Sequence, residues 1–127
     1  MAVIRQYRVY RTDLQLNTHI LYLFGDNEHR VGLGGQAGEM RGEPNAIGIR
    51  TCNLHHQWRR RDFVKHIAMI CEDFAPVWQA LKRGRIVVIP TDGFGTGIAD
   101  LKNTSPCALA YIESIIALMV QLYPCRA

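Results

Sequence analysis

Gly93-Phe94-Gly95-Thr96-Gly97 follows the apolar run at residues 86–89 and its exit Pro90-Thr91-Asp92. Alternating glycines leave the main chain bare, so backbone N–H groups can approach a phosphate directly, and the Thr96 hydroxyl adds one more donor. A second loop of this kind, Gly32-Leu33-Gly34-Gly35-Gln36-Ala37, lies beyond the apolar run at residues 20–24 that ends at Gly25. A helix opening at either loop would add its positive dipole end. Two such loops suit a ligand with a phosphate and a second polar part, as in a nucleotide or ADP-ribose. The alternative for the same glycines is tight turns that bind nothing, which three alternating glycines at a strand end make the weaker reading. Neither loop is of the Walker type, because no Gly-Lys-Ser/Thr follows. The formal Gly-x-Gly-x-x-Ala match stands too far from its strand for a Rossmann fingerprint.

Polar side chains adjoin both loops. Asp26 and Asn27 close the first apolar run, where a carboxylate can accept from an amine or ribose hydroxyl and an amide can hold a ribose; both types also commonly cap turns. Asp92 and Glu39 are the other acids near the glycines, suited to a general base or to solvated surface. Cys52, His55 and His56 resemble half of a zinc site, with His66 and Cys71 as distant partners. The adjacent histidines do not share a helical face and no Cys-x-x-Cys is present, so no metal or other cofactor is expected. Trp58-Arg59-Arg60-Arg61 is a basic cluster that could meet nucleic-acid phosphates with Trp58 stacking on a base, or form a solvated helix entry.

These residues need a scaffold, and the composition supplies one. The 127 residues are 48% hydrophobic and 20% charged, enough for one core in a single domain spanning 1–127. The net charge of +4 favours anionic partners without singling out nucleic acid. No apolar run approaches a membrane span, and the first residues lack a signal-peptide layout, so a soluble cytoplasmic protein is expected. The four cysteines lie in core-like segments and read as reduced thiols. Oligomeric state has no signature in the sequence.

Alternation over residues 3–11 predicts an edge-like strand, and residues 20–25, 46–51 and 85–90 predict three more. A short helix is expected at residues 34–41. A long one is expected at 62–82, burying Phe63, Ile67, Ile70, Phe74, Trp78 and Leu81 and broken or kinked at Pro76. A last helix starts at Ser105-Pro106 and buries Leu109, Ile112, Ile116, Met119 and Val120. Strands interleaved with helices predict an α/β fold with a mostly parallel or mixed sheet, in which ligands sit beyond the carboxyl ends of the strands.

The motif Gly25-Asp26-Asn27, Gly32-x-Gly34-Gly35-Gln36-Ala37, Pro44-Asn45-Ala46-x-Gly48-Ile49 and Asp92-Gly93-x-Gly95-Thr96-Gly97-x-Ala99 resembles an uncharacterised family of phages and bacteria. That family looks like a compact relative of macro domains, the ADP-ribose-binding α/β fold. The resemblance implies a macro-domain-like three-layer fold whose ligand is ADP-ribose or a related nucleotide. It places Asn27 near the distal ribose, Gly34 and Gly35 along the ribose and phosphate path, and Gly93 to Gly97 around the pyrophosphate. Gly25, Gly32, Gln36, Phe94 and Thr96 complete the expected ligand shell. Hydrolysis of an ADP-ribosyl bond, with Asp26, Asn27 or Asp92 positioning a water, is the activity this would imply. Two departures stand out: Arg50 replaces the proline common before the third-strand threonine, and the Asn-Ala-Asn-like and triple-glycine signatures of hydrolytic macro domains are absent. The alternative is a non-enzymatic nucleic-acid- or protein-binding module built on Arg59, Arg60 and Arg61.

Overall fold

The computed structural model describes residues 2–125. Four strands, β1 (Val3–Gln6), β2 (Leu21–Asn27), β3 (Ala46–Cys52) and β4 (Val87–Pro90), form one sheet in the order β1-β4-β2-β3. Every pairing is parallel. Five helices connect and follow them: α1 (Arg11–Leu16), α2 (Gln36–Met40), α3 (Phe63–Lys82), α4 (Leu101–Thr104) and α5 (Pro106–Leu122).

Side chains alternate across the sheet, as a strand's two-residue period requires. Val3, Leu21, Leu23, Ile49, Val87 and Ile89 face a core completed by α3 and α5. Tyr22, Phe24 and Val88 face a smaller core with Leu14 of α1 and Met40 of α2. The result is an α/β fold with helices on both faces. The connections through α1 and α2 run one way along the sheet and the one through α3 returns, so opposite faces are what crossovers of a single hand produce. The chain leaves β4 toward the α5 face, whereas both neighbours, β1 and β2, lead to the α1/α2 face. Crevices for ligands open at the carboxyl ends of strands where neighbours diverge in this way.

Several elements differ from expectation. The first strand ends at Gln6, and residues 7–10 lead into α1, whose start is held by the Asp13 carboxylate accepting from Tyr10 N–H at 2.8 Å. Pro76 sits inside α3 without dividing it. The residue whose carbonyl loses its partner there, Glu72, is exposed, so water can serve that oxygen. The buried face of α3 carries His66, Asp73 and Val77, while Phe63 is exposed and Ile67 and Trp78 are only partly covered. In α5 Ile115 is buried and Val120 is not. Ser105 stands at the N-cap position but its hydroxyl makes no capping bond. The cysteines are free thiols that lie outside the core: Cys71, Cys107 and Cys125 are exposed, and Cys52 is half-buried. Among the described residues no helix is long and apolar enough to cross a membrane.

Asn45, at the turn into β3, locks the loop between α1 and β2. Its buried amide nitrogen donates to the carbonyls of Leu14, Asn17 and Ile20 at 3.0–3.1 Å. Replacing it would take this donor from all three carbonyls in a confined space, with only that of Asn17 keeping a second donor among the described residues, the Ile20 N–H. Asn45→Ala is expected to destabilise the protein by about 2–3 kcal/mol, read from the midpoint of urea denaturation.

Candidate functional site

Three segments crowd the carboxyl edge of the sheet: the first glycine loop after β2, the 53–62 segment after β3, and the second glycine loop after β4. They are tied together from below. Asp26, near the end of β2, is buried and accepts from Arg41 Nη2 at 2.6 Å and Nη1 at 3.2 Å, from Arg30 Nη1 at 3.2 Å, and from Asn27 N–H at 2.8 Å. Arg30 continues to Asp73 of α3 at 2.6 Å and to the Gly48 carbonyl at 2.6 Å. Asp73 in turn accepts from the Arg50 side chain and from Arg50 N–H at 2.8 Å. Burial alone would raise the Asp26 carboxyl's pKa, but the bonds from Arg41, Asn27 and Arg30 outweigh it and hold the pKa below the usual value. Gly48 lies against this carboxylate so closely that a Cβ there would overlap it.

Glu28 anchors the second tie. It accepts from the Trp58 indole N–H at 3.0 Å and the Asn53 amide at 3.3 Å, with Lys65 at 3.6 Å. Burial pushes its carboxyl up, and these three partners bring it below the usual range. Trp58 is 2% exposed and lies flat on His66, centroids 3.9 Å apart. Its ring is therefore not a platform for a nucleic-acid base, because the indole is already spent on the core. Arg60 donates to the Asn103 carbonyl and Gln57 to the Ile98 carbonyl, fastening this segment to the second glycine loop.

The glycine loops differ in what they offer. In the first, Gly32 (φ 101°) and Gly35 (φ 56°) need left-handed backbone, and a side chain on Gly34 would point into open space. Among the described residues the N–H groups of Gly32, Leu33, Gly34 and Gly35 donate to no protein acceptor. The helix that follows is only five residues long and contributes little dipole, so the loop's own N–H groups are its electropositive element. In the second loop Gly95 (φ 73°) turns its Cα toward the core, where an added Cβ would meet Leu101 at 2.5 Å. Phe94 is 2% exposed and packs edge-on against Phe74. The N–H groups of Gly95, Thr96 and Gly97 find no protein acceptor among the described residues, and Gly97 faces open space.

Two clefts adjoin these loops. One, of about 310 Å³, is lined by residues 7–10, by Gly35, Gln36 and Glu39, and by Asp92. The other, of about 260 Å³, runs under Gly93, Phe94, Gly95 and Thr96 onto α5, with Asp92, Asp100 and Glu113 against the single cation Lys102. Asp92 belongs to both. Gly35, Gln36 and Asp92 are thus brought together, whereas Gly25, Gly32, Gly34 and Gly97 line neither cleft. Gln36 uses its amide on the backbone of Val9, accepting at 2.8 Å and donating at 3.0 Å. Asn27 spends its side chain on the Val31 carbonyl and His29 N–H. Glu39 accepts from Arg11 N–H. Cys52, His55, His56, His66 and Cys71 do not converge, and among the described residues no group of three His, Cys, Asp or Glu is placed to hold a metal ion. Tyr7, Arg8 and Tyr10 were hidden in the sequence by an alternation that reads as strand.

Residues 4–115 match the model of a family of unknown function (DUF7831), and the chain belongs to that family. No curated protein and no solved structure matches it.

Two measurements follow from this geometry. Gly95→Ala should cost about 2 kcal/mol or more, from left-handed strain plus overlap with Leu101, so its melting temperature should fall before any ligand is added. His66 is buried, its Nδ1 is without a partner, and burial foremost pushes its pKa down. The unfolded state then binds the proton more readily, and stability should fall as pH drops below about 6.5. Asp26 and Glu28 lose their contributions only at lower pH, below about 4.5. Urea denaturation between pH 8 and 5.5 should show this loss in the wild type and a flatter profile in His66→Phe.

Proposed function

We propose that the protein binds ADP-ribose or a related nucleotide at the carboxyl edge of the sheet, in a compact macro-domain-like arrangement. One observation carries the reading: Gly35 and Asp92, from two different glycine loops, line the same cleft, beside a run of four backbone N–H groups without protein acceptors. Such a run accepts an anion with little reorganisation. Arg8, which lines the same cleft, supplies a cation whose guanidinium has no protein partner among the described residues. The second loop is less suited to phosphate, because Asp92, Asp100 and Glu113 outnumber Lys102 around it. The phosphates therefore belong at the first loop, with the remainder of the ligand reaching toward Asp92. Each cleft is near or below the ~300 Å³ lower bound of small-molecule sites, and together they suit a ligand that spans both.

Hydrolysis of an ADP-ribosyl bond would fall to Asp92. It is exposed, it adjoins both clefts, and it has no protein partner among the described residues. Asp26 and Asn27 are engaged in holding the loop. A soluble nucleotide-derived ligand accords with a cytoplasmic protein. The reading based on Arg59, Arg60 and Arg61 loses its aromatic partner with the burial of Trp58.

Thermal melts with ADP-ribose, NAD, AMP, ATP and a short oligonucleotide test the proposal. Ligand at a hundred times its Kd should add about 2.7 kcal/mol, a shift of a few degrees for a domain of this size. Gly34→Glu places a carboxylate at the N–H run without strain, so it should melt like the wild type alone and lose the nucleotide shift. Equal shifts in the two proteins, or a response to the oligonucleotide only, would reject the proposal.

A further inference from the structure

Helices α3 and α5 pack side by side over one face of the sheet, and the middle of what they show to solvent carries no charge. On α3 the outward positions are Val64, Ala68 and Ala75, all exposed. On α5 they are Ala110, Ser114 and Ala117, also exposed, and Ser114 returns its hydroxyl to the Tyr111 carbonyl at 2.8 Å. Between the helices the Tyr111 phenol meets the exposed Cys71 thiol, and Leu118 beside them is 47% exposed. The charged residues of both helices lie at the margins of this face. Lys65 reaches Glu28 at 3.6 Å and Glu72 reaches Arg50 at 3.5 Å, both toward the side of β2 and β3. Asp73 is buried against Arg50 on that same side. Glu113, the one charged residue of α5, lines the cleft with Asp92 on the other side. Lys82 stands at the far end of α3.

We propose that this two-helix face is an isologous interface with a second copy of the chain, its two-fold axis passing close to Cys71 and Tyr111. The inference is independent of the nucleotide reading and concerns the opposite quarter of the molecule's chemistry, where nothing polar is on offer. A charged partner would strip water from its charges against a face that returns no counter-charge, which is costly. An uncharged face pairs at no such cost with another of its kind, and every copy of this chain carries one. Homodimer contacts are depleted in charge at their centres in the same way. The alanines and Ser114 let facing helices approach closely, while Val64 and Leu118 supply apolar bulk. The two helices are about 30 and 25 Å long, and neighbours lie about 10 Å apart. With its relief, a face of that extent is on the scale of the ~800 Å² per partner that a standard interface buries. Charge bounds the face on both long sides, and Cys71 lies near the middle of α3. A residue beside a two-fold axis meets its own copy, so Cys71 faces Cys71 of the second copy.

Sedimentation velocity of the full chain, from micromolar to submillimolar concentration, tests the proposal. It should show a reversible shift from the 14.4 kDa chain to its dimer. The shift should persist in high salt, because no ion pair carries it. Ala68→Glu and Ala110→Glu set like charges from both copies into the contact and should each weaken dimerisation at least ten-fold. Both sites are exposed in the single chain, so dilute samples of these variants should melt like dilute wild type. In a Cys107→Ser/Cys125→Ser chain, mild oxidation with copper phenanthroline should trap a covalent dimer, and adding Cys71→Ser should prevent it. A chain that stays monomeric throughout, a dimer dissolved by salt, a dimer of unchanged affinity in both Glu variants, or a dimer that Cys71 fails to trap would each overturn the proposal.

Discussion

A chain of five charged side chains, Arg41–Asp26–Arg30–Asp73–Arg50, holds the carboxyl edge of the sheet in place. It joins the end of α2, the end of β2, the first glycine loop, α3 and β3. Two carboxylates sit buried in it, and neither would be tolerable there alone: an isolated buried charge costs several kcal/mol, and removing one member of such a pair commonly costs about 3–5 kcal/mol. Each is satisfied by several donors in short, well-directed bonds. The network also explains the backbone of the loop it supports. Arg30 adopts a left-handed φ of 57°, unusual for a residue with a Cβ, and is kept there by bonds to Asp26, Asp73 and the Gly48 carbonyl. The bare glycines that follow are consequently attached to a rigid post, with the Val31 and Gly32 carbonyls tied to Arg41.

The strands and the last helix were legible because their signals are local. The β-branched run ending at Ile89 needs two apolar faces, and the structure supplies a core on each. The parts that were not legible depend on partners distant in the chain. His66 and Asp73 occupy the buried face of α3 because Trp58, Arg30 and Arg50 come to meet them, and no periodicity in residues 63–82 announces those meetings. Helix α1 starts without Ser, Thr, Asp or Asn at its N-cap, so the usual sign of a helix start is missing, and the alternation before it reads as strand.

The same distinction runs through the candidate site. That two glycine loops share one edge of the sheet follows from strand-loop-helix order. Which glycine opens outward does not, because Gly34 and Gly95 look alike in sequence, while one faces open space and the other presses on Leu101. Asp26 likewise looks in sequence like a free carboxylate at a strand's end, and only the structure shows it bonded to Arg41, Arg30 and Asn27 N–H beneath the loop. Glu28 had no signal beyond adjacency to Asn27, and its role emerges from the return of Trp58, Asn53 and Lys65.

The bond from Arg50 N–H to the Asp73 carboxylate has a consequence for how copies of this chain meet one another. β3 is one of the two outer strands of a parallel sheet, and an outer strand with open donors and acceptors is a template on which another extended chain can add. At Arg50 the donor on that open side is already claimed by a side chain from α3, with the arginine side chain folded over the same carboxylate. An incoming strand would have to displace a buried ion pair to gain one backbone bond there. The interaction that steadies the glycine loop thus also guards the β3 margin of the sheet against runaway strand addition.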